Sequence, residues 1–162
     1  MSRLGPEHAL LYRELRHSDL RSHPEYFGAS LDEEASLSES AVADRLSHGV
    51  VFGAWLNGQL VGCAGLASRE KVKLRHKAIL WGMFVRPDAR GVGLGKLLLD
   101  AVIGHARPMY EEVLLTVVEG NETAASLYAA AGFEEYGREL GAIKIGDSYF
   151  GEILMRLPLA HR

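Results

Sequence analysis

The stretch Arg90-Gly91-Val92-Gly93-Leu94-Gly95-Lys96 joins two apolar runs of different period. Before it stands Ala78-Ile79-Leu80-Trp81-Gly82-Met83-Phe84-Val85, a continuous run of strand length closed by Arg86-Pro87-Asp88. After it, Leu94, Leu97, Leu98, Ala101 and Val102 recur on one helical face, and Pro108 marks the stop. The order is strand, glycine-rich turn, helix start. Such a turn suits a phosphate. Glycines take positive φ and let bare backbone approach a ligand. Unpaired N–H groups at the helix start, at the positive end of its dipole, favour an anion.

Working outward, Val50–Leu56 and Gln59–Leu66 flank Asn57-Gly58, a strong hairpin signal. The polar, basic segment from Ser68 to Lys77 leads into the Ala78–Val85 strand as a second hairpin. Val113–Val118 is rich in β-branched residues and reads as a strand. Asn121–Ala131 is alanine-rich and helical, closed by Gly132. Phe133–Leu140 and Tyr149–Leu157 read as two final strands with Gly146-Asp147 in the turn between them. Upstream, residues 7–22 carry Leu10, Leu11, Leu15 and Leu20 among charges, an amphipathic helix. Tyr26–Ser36 reads as a loop, and Ser38–His48 as a second short helix with Val42 and Leu46 inward and Gly49 as its stop. This predicts an α/β chain with a mixed, mostly antiparallel sheet of six or seven strands and about four helices.

Composition narrows the function. At 162 residues one domain over 1–162 is expected, with helices over 1–49 and the sheet over 50–157. The net charge of −3 argues against nucleic acid as a partner. No apolar run approaches the ~20 residues of a membrane span, and the N-terminus lacks a signal-peptide core. With Cys63 alone, no intrachain disulfide forms, so a cytoplasmic setting is expected. Cys63 itself reads as a small buried strand residue. The seven histidines show no paired metal spacing, so no metal is expected.

Three phosphate-binding patterns compete for residues 90–96. A Walker loop needs Ser or Thr after Gly-Lys, and Leu97 stands there. A dinucleotide fingerprint needs a third glycine where Lys96 stands. Glu119 falls at the distance of a ribose-binding acid, but the motif follows a β-rich stretch instead of opening a βαβ unit. Arg-x-x-Gly-x-Gly is met without mismatch by Arg90, Gly93 and Gly95. A turn with no ligand is the plain alternative.

A second constellation follows Val118. Asn121 and Tyr128 are seven residues apart, almost two helical turns, and so are expected on one helix face. By themselves they read as an N-cap and a core aromatic. In sequence they form Asn121-x-x-Ala-x-x-x-Tyr128-x-x-x-Gly132-Phe133. Together with the Arg90 motif, in this order and separation, this resembles the acetyl-CoA side of the GCN5-related N-acetyltransferase (GNAT) family over about residues 50–157.

That resemblance implies a fold in which two central strands splay to form an acetyl-CoA cleft. It implies that the backbone of Met83, Phe84 and Val85 bonds the pantetheine arm. The turn Arg90, Gly91, Val92, Gly93, Gly95 and Lys96 holds the pyrophosphate, Asn121 lies on the cofactor side, and Tyr128 protonates the departing thiolate. The implied reaction is acetyl transfer from acetyl-CoA to a primary amine of a small molecule, or to a protein N-terminus or lysine. A homodimer is among the assemblies it implies. The alternatives are a dinucleotide-binding oxidoreductase and a non-catalytic acyl-CoA-binding module.

Two features depart from the family pattern. Only Ser2-Arg3-Leu4 is available for the opening strand. Trp81, Gly82 and Met83 stand where many members carry a glutamate base. The candidates for a base are Glu33, Glu34, His76, Glu119 and Glu152.

Overall fold

A computed structural model describes residues 1–159. Seven strands form one sheet: β1 (Ser2–Arg3), β2 (Val50–Leu56), β3 (Gln59–Ser68), β4 (Lys77–Val85), β5 (Glu112–Val118), β6 (Glu134–Ile145) and β7 (Ser148–Pro158). Their order is β1-β2-β3-β4-β5-β7-β6. Only β4 and β5 are parallel, and the helix α4 (Leu94–Ala106) crosses between them. The glycine turn therefore does open a βαβ unit, contrary to the sequence argument raised against a dinucleotide site. Against that site there remain Lys96 and the otherwise antiparallel sheet.

The other helices are α1 (Ala9–Ser22), α2 (Leu31–Ala35), α3 (Glu39–His48) and α5 (Glu122–Ala130). Helix α2 falls within the expected loop. Ser30 and Glu33 close a capping box around its start, which satisfies two end groups of a very short helix. The Asn57-Gly58 hairpin forms as expected, with φ of 51° and 78° at the two turn residues. Gly49 ends α3, though not through a left-handed φ. Its backbone is extended, and a Cβ there would lie 2.7 Å from the Arg45 carbonyl oxygen. β6 runs five residues beyond the expected Leu140, because its pairing with β7 continues to the turn.

Apolar side chains fill both faces of the sheet. Leu98, Leu99 and Val102 of α4 pack with Ala64, Leu80, Val113 and Leu115 on one face. Tyr12 and Leu15 of α1 and Val42 and Leu46 of α3 pack with Val51, Cys63 and Phe84 on the other. Two expected faces need correction. Leu10 and Leu11 are exposed, and the inward face of α1 carries Tyr12, Leu15, Arg16, Asp19 and Leu20. Leu97 of α4 is also exposed, while Leu99 and Ile103 are buried. Two buried charges on an apolar helix face are costly unless compensated. No helix among the described residues is long and apolar enough to cross a membrane.

Candidate active site

The cleft arises because β4 and β5 pair only at their first residues. Lys77, Ala78 and Ile79 face Glu112, Val113 and Leu114, and beyond them the strands part. β4 parts because it bulges. Gly65 faces Trp81 and Cys63 faces Phe84, so Gly82 and Met83 together oppose Ala64. Gly82 has φ of 59°, a conformation costly for other residues. The Cys63 thiol donates to the Gly82 carbonyl at 3.4 Å and is pushed up to about 12 by burial, which suits its structural part.

The opening is a cleft of about 570 Å³. One wall is β4 from Leu80 to Val85. The other is Thr116–Val118 of β5 with Asn121 and Tyr128, and the glycine turn closes one end. Gly91 and Gly93 have φ of 85° and 82°, and no atom lies within 4 Å of where their side chains would be. Gly93 is the N-cap of α4 and offers no side chain to the first-turn N–H groups. Those donors face the cleft end with the positive end of the helix dipole.

Most of the expected cofactor residues meet here. Met83, Phe84, Val85, Arg90, Gly91, Gly93, Gly95, Lys96, Asn121 and Tyr128 all line the cleft. Val92 does not: it is 63% exposed and points away from the lining residues on either side of it. Arg90 donates from Nε to the Val85 carbonyl at 2.9 Å and lies over the Phe84 ring, clamping the turn to the end of β4. Lys96 pairs with Asp100 at 2.6 Å on the surface. Asn121 stands at the N-cap of α5, outside the helical face expected for it, and accepts from the Ala124 N–H. Tyr128 is 5% exposed and packs edge-on against Phe133. Burial raises its pKa, so the phenol stays protonated.

The base candidates separate clearly. Glu33 is engaged in the α2 capping box. Glu34 is buried and accepts two hydrogen bonds from Arg45, at 3.0 and 3.2 Å. His76 sits at the paired end of β4, where its carbonyl accepts from the Glu111 N–H. Glu119 is tied to Arg138 at 3.0 Å. Glu152 alone of the five lines a cavity beside the cleft. It lines a side chamber of about 290 Å³ that shares Tyr26, Leu80, Trp81, Gly82 and Thr116 with the main cleft. Burial, then the neighbouring Glu139, raises its pKa.

Sequence reasoning missed a buried polar group behind the bulge. Arg16 lies 3.7 Å from Asp19 and 3.8 Å from Glu34, beyond hydrogen-bond range. Its Nη1 lies 3.4 Å from where a Gly82 Cβ would be, so glycine leaves it room. Asp19 is fully buried with both oxygens unpartnered. Its pKa rises to about 8, because burial outweighs the attraction of Arg16 and Arg90. The signal was present: charges at positions 16 and 19 share a face with Tyr12, Leu15 and Leu20.

The solved acetyltransferase of the GNAT family from Streptococcus pneumoniae superposes with a TM-score of 0.87, at 22% identity over 98% of both chains. A putative acetyltransferase from Salmonella typhimurium, solved with its cofactor acetyl-CoA, gives a TM-score of 0.80 at 19% identity over 99% of this chain and 94% of that one. At such identity these are likenesses of fold. A mycothiol acetyltransferase of Geodermatophilus obscurus is 42% identical over 53 residues, which are 32% of this chain and 17% of that protein. The chain spans half or less of the length of such curated relatives. The model of the acetyltransferase (GNAT) family matches residues 9–133, most of the chain, including the glycine turn and the Asn121–Phe133 motif. The chain therefore belongs to the acetyltransferase (GNAT) family.

Proposed function

We propose that the protein transfers the acetyl group of acetyl-CoA directly to a primary amine. One observation carries this reading: the glycine turn, the unpaired edge of β4 and Tyr128 meet in a single cleft. The fit to acetyl-CoA is physical. The pyrophosphate takes the uncapped N–H groups of the first turn of α4, with Arg90 and Lys96 adding positive charge at the rim. The pantetheine arm lies along Met83, Phe84 and Val85 as an added strand. The Arg86 N–H donates to the Val61 carbonyl and Phe84 opposes Cys63, so Phe84 turns its main-chain groups to β3. The carbonyl of Val85 is already engaged by Arg90, so Met83 and the Val85 N–H supply the remaining main-chain groups.

The acceptor nitrogen must be neutral to attack, and lysine-like amines hold their proton to about pH 10.4 in water. The new C–N bond forms at the thioester carbonyl, whose oxygen takes a main-chain N–H near Phe84. The C–S bond then breaks. The amine proton passes to the Glu152 carboxylate, whose proton affinity burial and then Glu139 raise. Tyr128 faces the departing sulfur as a protonated donor. Its high pKa makes full transfer to a thiolate uphill in the free protein, because a thiol ionises near pH 8.5. A hydrogen bond that strengthens as charge gathers on sulfur is the role its burial favours.

Calorimetry with acetyl-CoA, together with detection of free thiol in the presence of amines, tests the reading. Binding followed by amine-dependent thiol release supports it. Binding without thiol release from any amine would indicate a non-catalytic module.

A further inference from the structure

The side chamber has a chemical character that the reaction alone does not require. Strand register puts its side chains on one face. Ala67 opposes Ile79 and Gly65 opposes Trp81, so Arg69, two residues beyond Ala67, comes to the same face as both. On the far side of the splay, Thr116 opposes Leu154 and Val118 opposes Glu152. Directly opposed residues share a face and alternate residues repeat it. Arg69, just past the end of β3, therefore converges on the chamber with Ile79 and Trp81 of β4, Thr116 of β5 and Glu152 of β7.

Its two ends differ in charge. Glu152 stands at the open end, with Glu139 opposite it on β6. At the other end Arg69 is half-buried, and its guanidinium makes no ion pair or hydrogen bond with any described residue. Its backbone N–H is held by the Lys77 carbonyl, which fixes where the side chain starts. The surrounding loop, residues 69–77, carries five Lys/Arg and one acid in a chain of net charge −3. Within that loop Lys77 alone has an ion pair among the described residues, with Glu112. A basic rim attracts anions and repels polycations.

We propose that the acceptor is a small primary amine that also carries a carboxylate, with its ammonium end at Glu152 and its carboxylate on Arg69. The proposal rests on the transferase reading above. A chamber of about 290 Å³ suits a molecule of amino-acid size. Arginine presents a fork of donors that matches a carboxylate. The shared wall at Gly82 and Thr116 then directs the amine toward the main cleft.

The test compares pairs of acceptors that differ only in the carboxylate and whose carbon chain sets the amine and carboxylate apart: 4-aminobutanoate with propylamine, and 6-aminohexanoate with pentylamine. Spermidine and a lysine peptide are added as cationic acceptors. Free thiol is measured with saturating acetyl-CoA, and acetyl-CoA binding is measured separately by calorimetry. The expected result is at least a tenfold higher kcat/KM for a carboxylated amine over its partner. Arg69→Gln should raise KM for that amine about tenfold with little change in kcat, shrinking the preference toward one, and Arg69→Lys should restore part of it. Acetyl-CoA affinity should not change. Equal or better turnover of the amines lacking a carboxylate, of spermidine or of the peptide overturns the inference and leaves the transferase reading standing. Failure to bind acetyl-CoA removes both.

Discussion

One half of the cleft is built from main chain and the other from side chains. At the glycine turn, the groups available to a ligand are peptide N–H groups, and Gly91 and Gly93 matter for what they lack. In the side chamber the groups are Arg69, Trp81, Thr116 and Glu152, brought together from three strands and from just past the end of β3. A main-chain site tolerates wide variation in the side chains around it and binds a group common to many reactions. A side-chain site is specific and is rewritten by single substitutions. The two halves should therefore fail in different ways when altered.

The largest effect is expected at the turn. Gly93→Val places a β-branched residue at φ of 82°, a left-handed conformation that costs it roughly 1–2 kcal/mol or more. It also puts a side chain where the pyrophosphate must approach. No protein atom lies within 4 Å of the new Cβ, so the fold has room for it. Acetyl-CoA affinity should fall by about 100-fold or more, equivalent to roughly 2.8 kcal/mol. A folded variant that titrates like the parent would show that the turn is not the binding element.

Tyr128→Phe should come next, with the opposite signature. The ring stays in place against Phe133, so acetyl-CoA affinity is retained. kcat should fall about 10- to 100-fold, and kcat/KM with it, because the lost contact strengthens only as the sulfur departs. If kcat holds at saturating acceptor while the melting temperature drops, the hydroxyl is a structural tether.

Much of this division was visible in the sequence. The turn, the Asn121–Phe133 motif and the Asn57-Gly58 hairpin are local patterns, read within one stretch of chain. The splay was implied by resemblance, but its cause was not read. Gly82 sits in an apolar run, and only the register opposite Ala64 shows it as a bulge. The chamber was less legible still. Arg69 and Glu152 are 83 positions apart and share a face only through the pairing of intervening strands. Glu34 read as a loop acid and a candidate base. Once the segment folds as α2, it becomes the buried partner of Arg45. Arg16 and Asp19 escaped notice because neighbouring leucines dominated the reading of α1.

Asp19 gives a smaller effect that belongs to the scaffold behind both halves. Its pKa rises from an ordinary 3.8 to about 8 in the folded chain. The folded protein therefore holds a proton that the unfolded chain has lost across that window. Stability from this group is greatest at the acid end and is lost as pH rises through about 8. Melting temperature should decline between pH 5.5 and 8.5, by roughly 2–4 °C for each kcal/mol involved. Asp19→Asn, which removes the titration, should flatten that slope. The same slope in the variant would place its origin elsewhere.

The smallest effect is expected at Glu33. Glu33→Gln keeps a capping side chain on α2 and lies outside the cleft, so kcat and KM should both match the parent within error. A loss of kcat would return Glu33 to the list of bases.

The central claim is that the glycine-turn half of the cleft binds acetyl-CoA. Its most direct test is a calorimetric titration of the unmodified protein with acetyl-CoA, CoA and NAD under identical conditions. The account predicts saturable one-to-one binding of acetyl-CoA and CoA, with NAD far weaker, since Lys96 stands where a dinucleotide fingerprint needs glycine. Absence of heat with acetyl-CoA, or equal affinity for NAD, would contradict it.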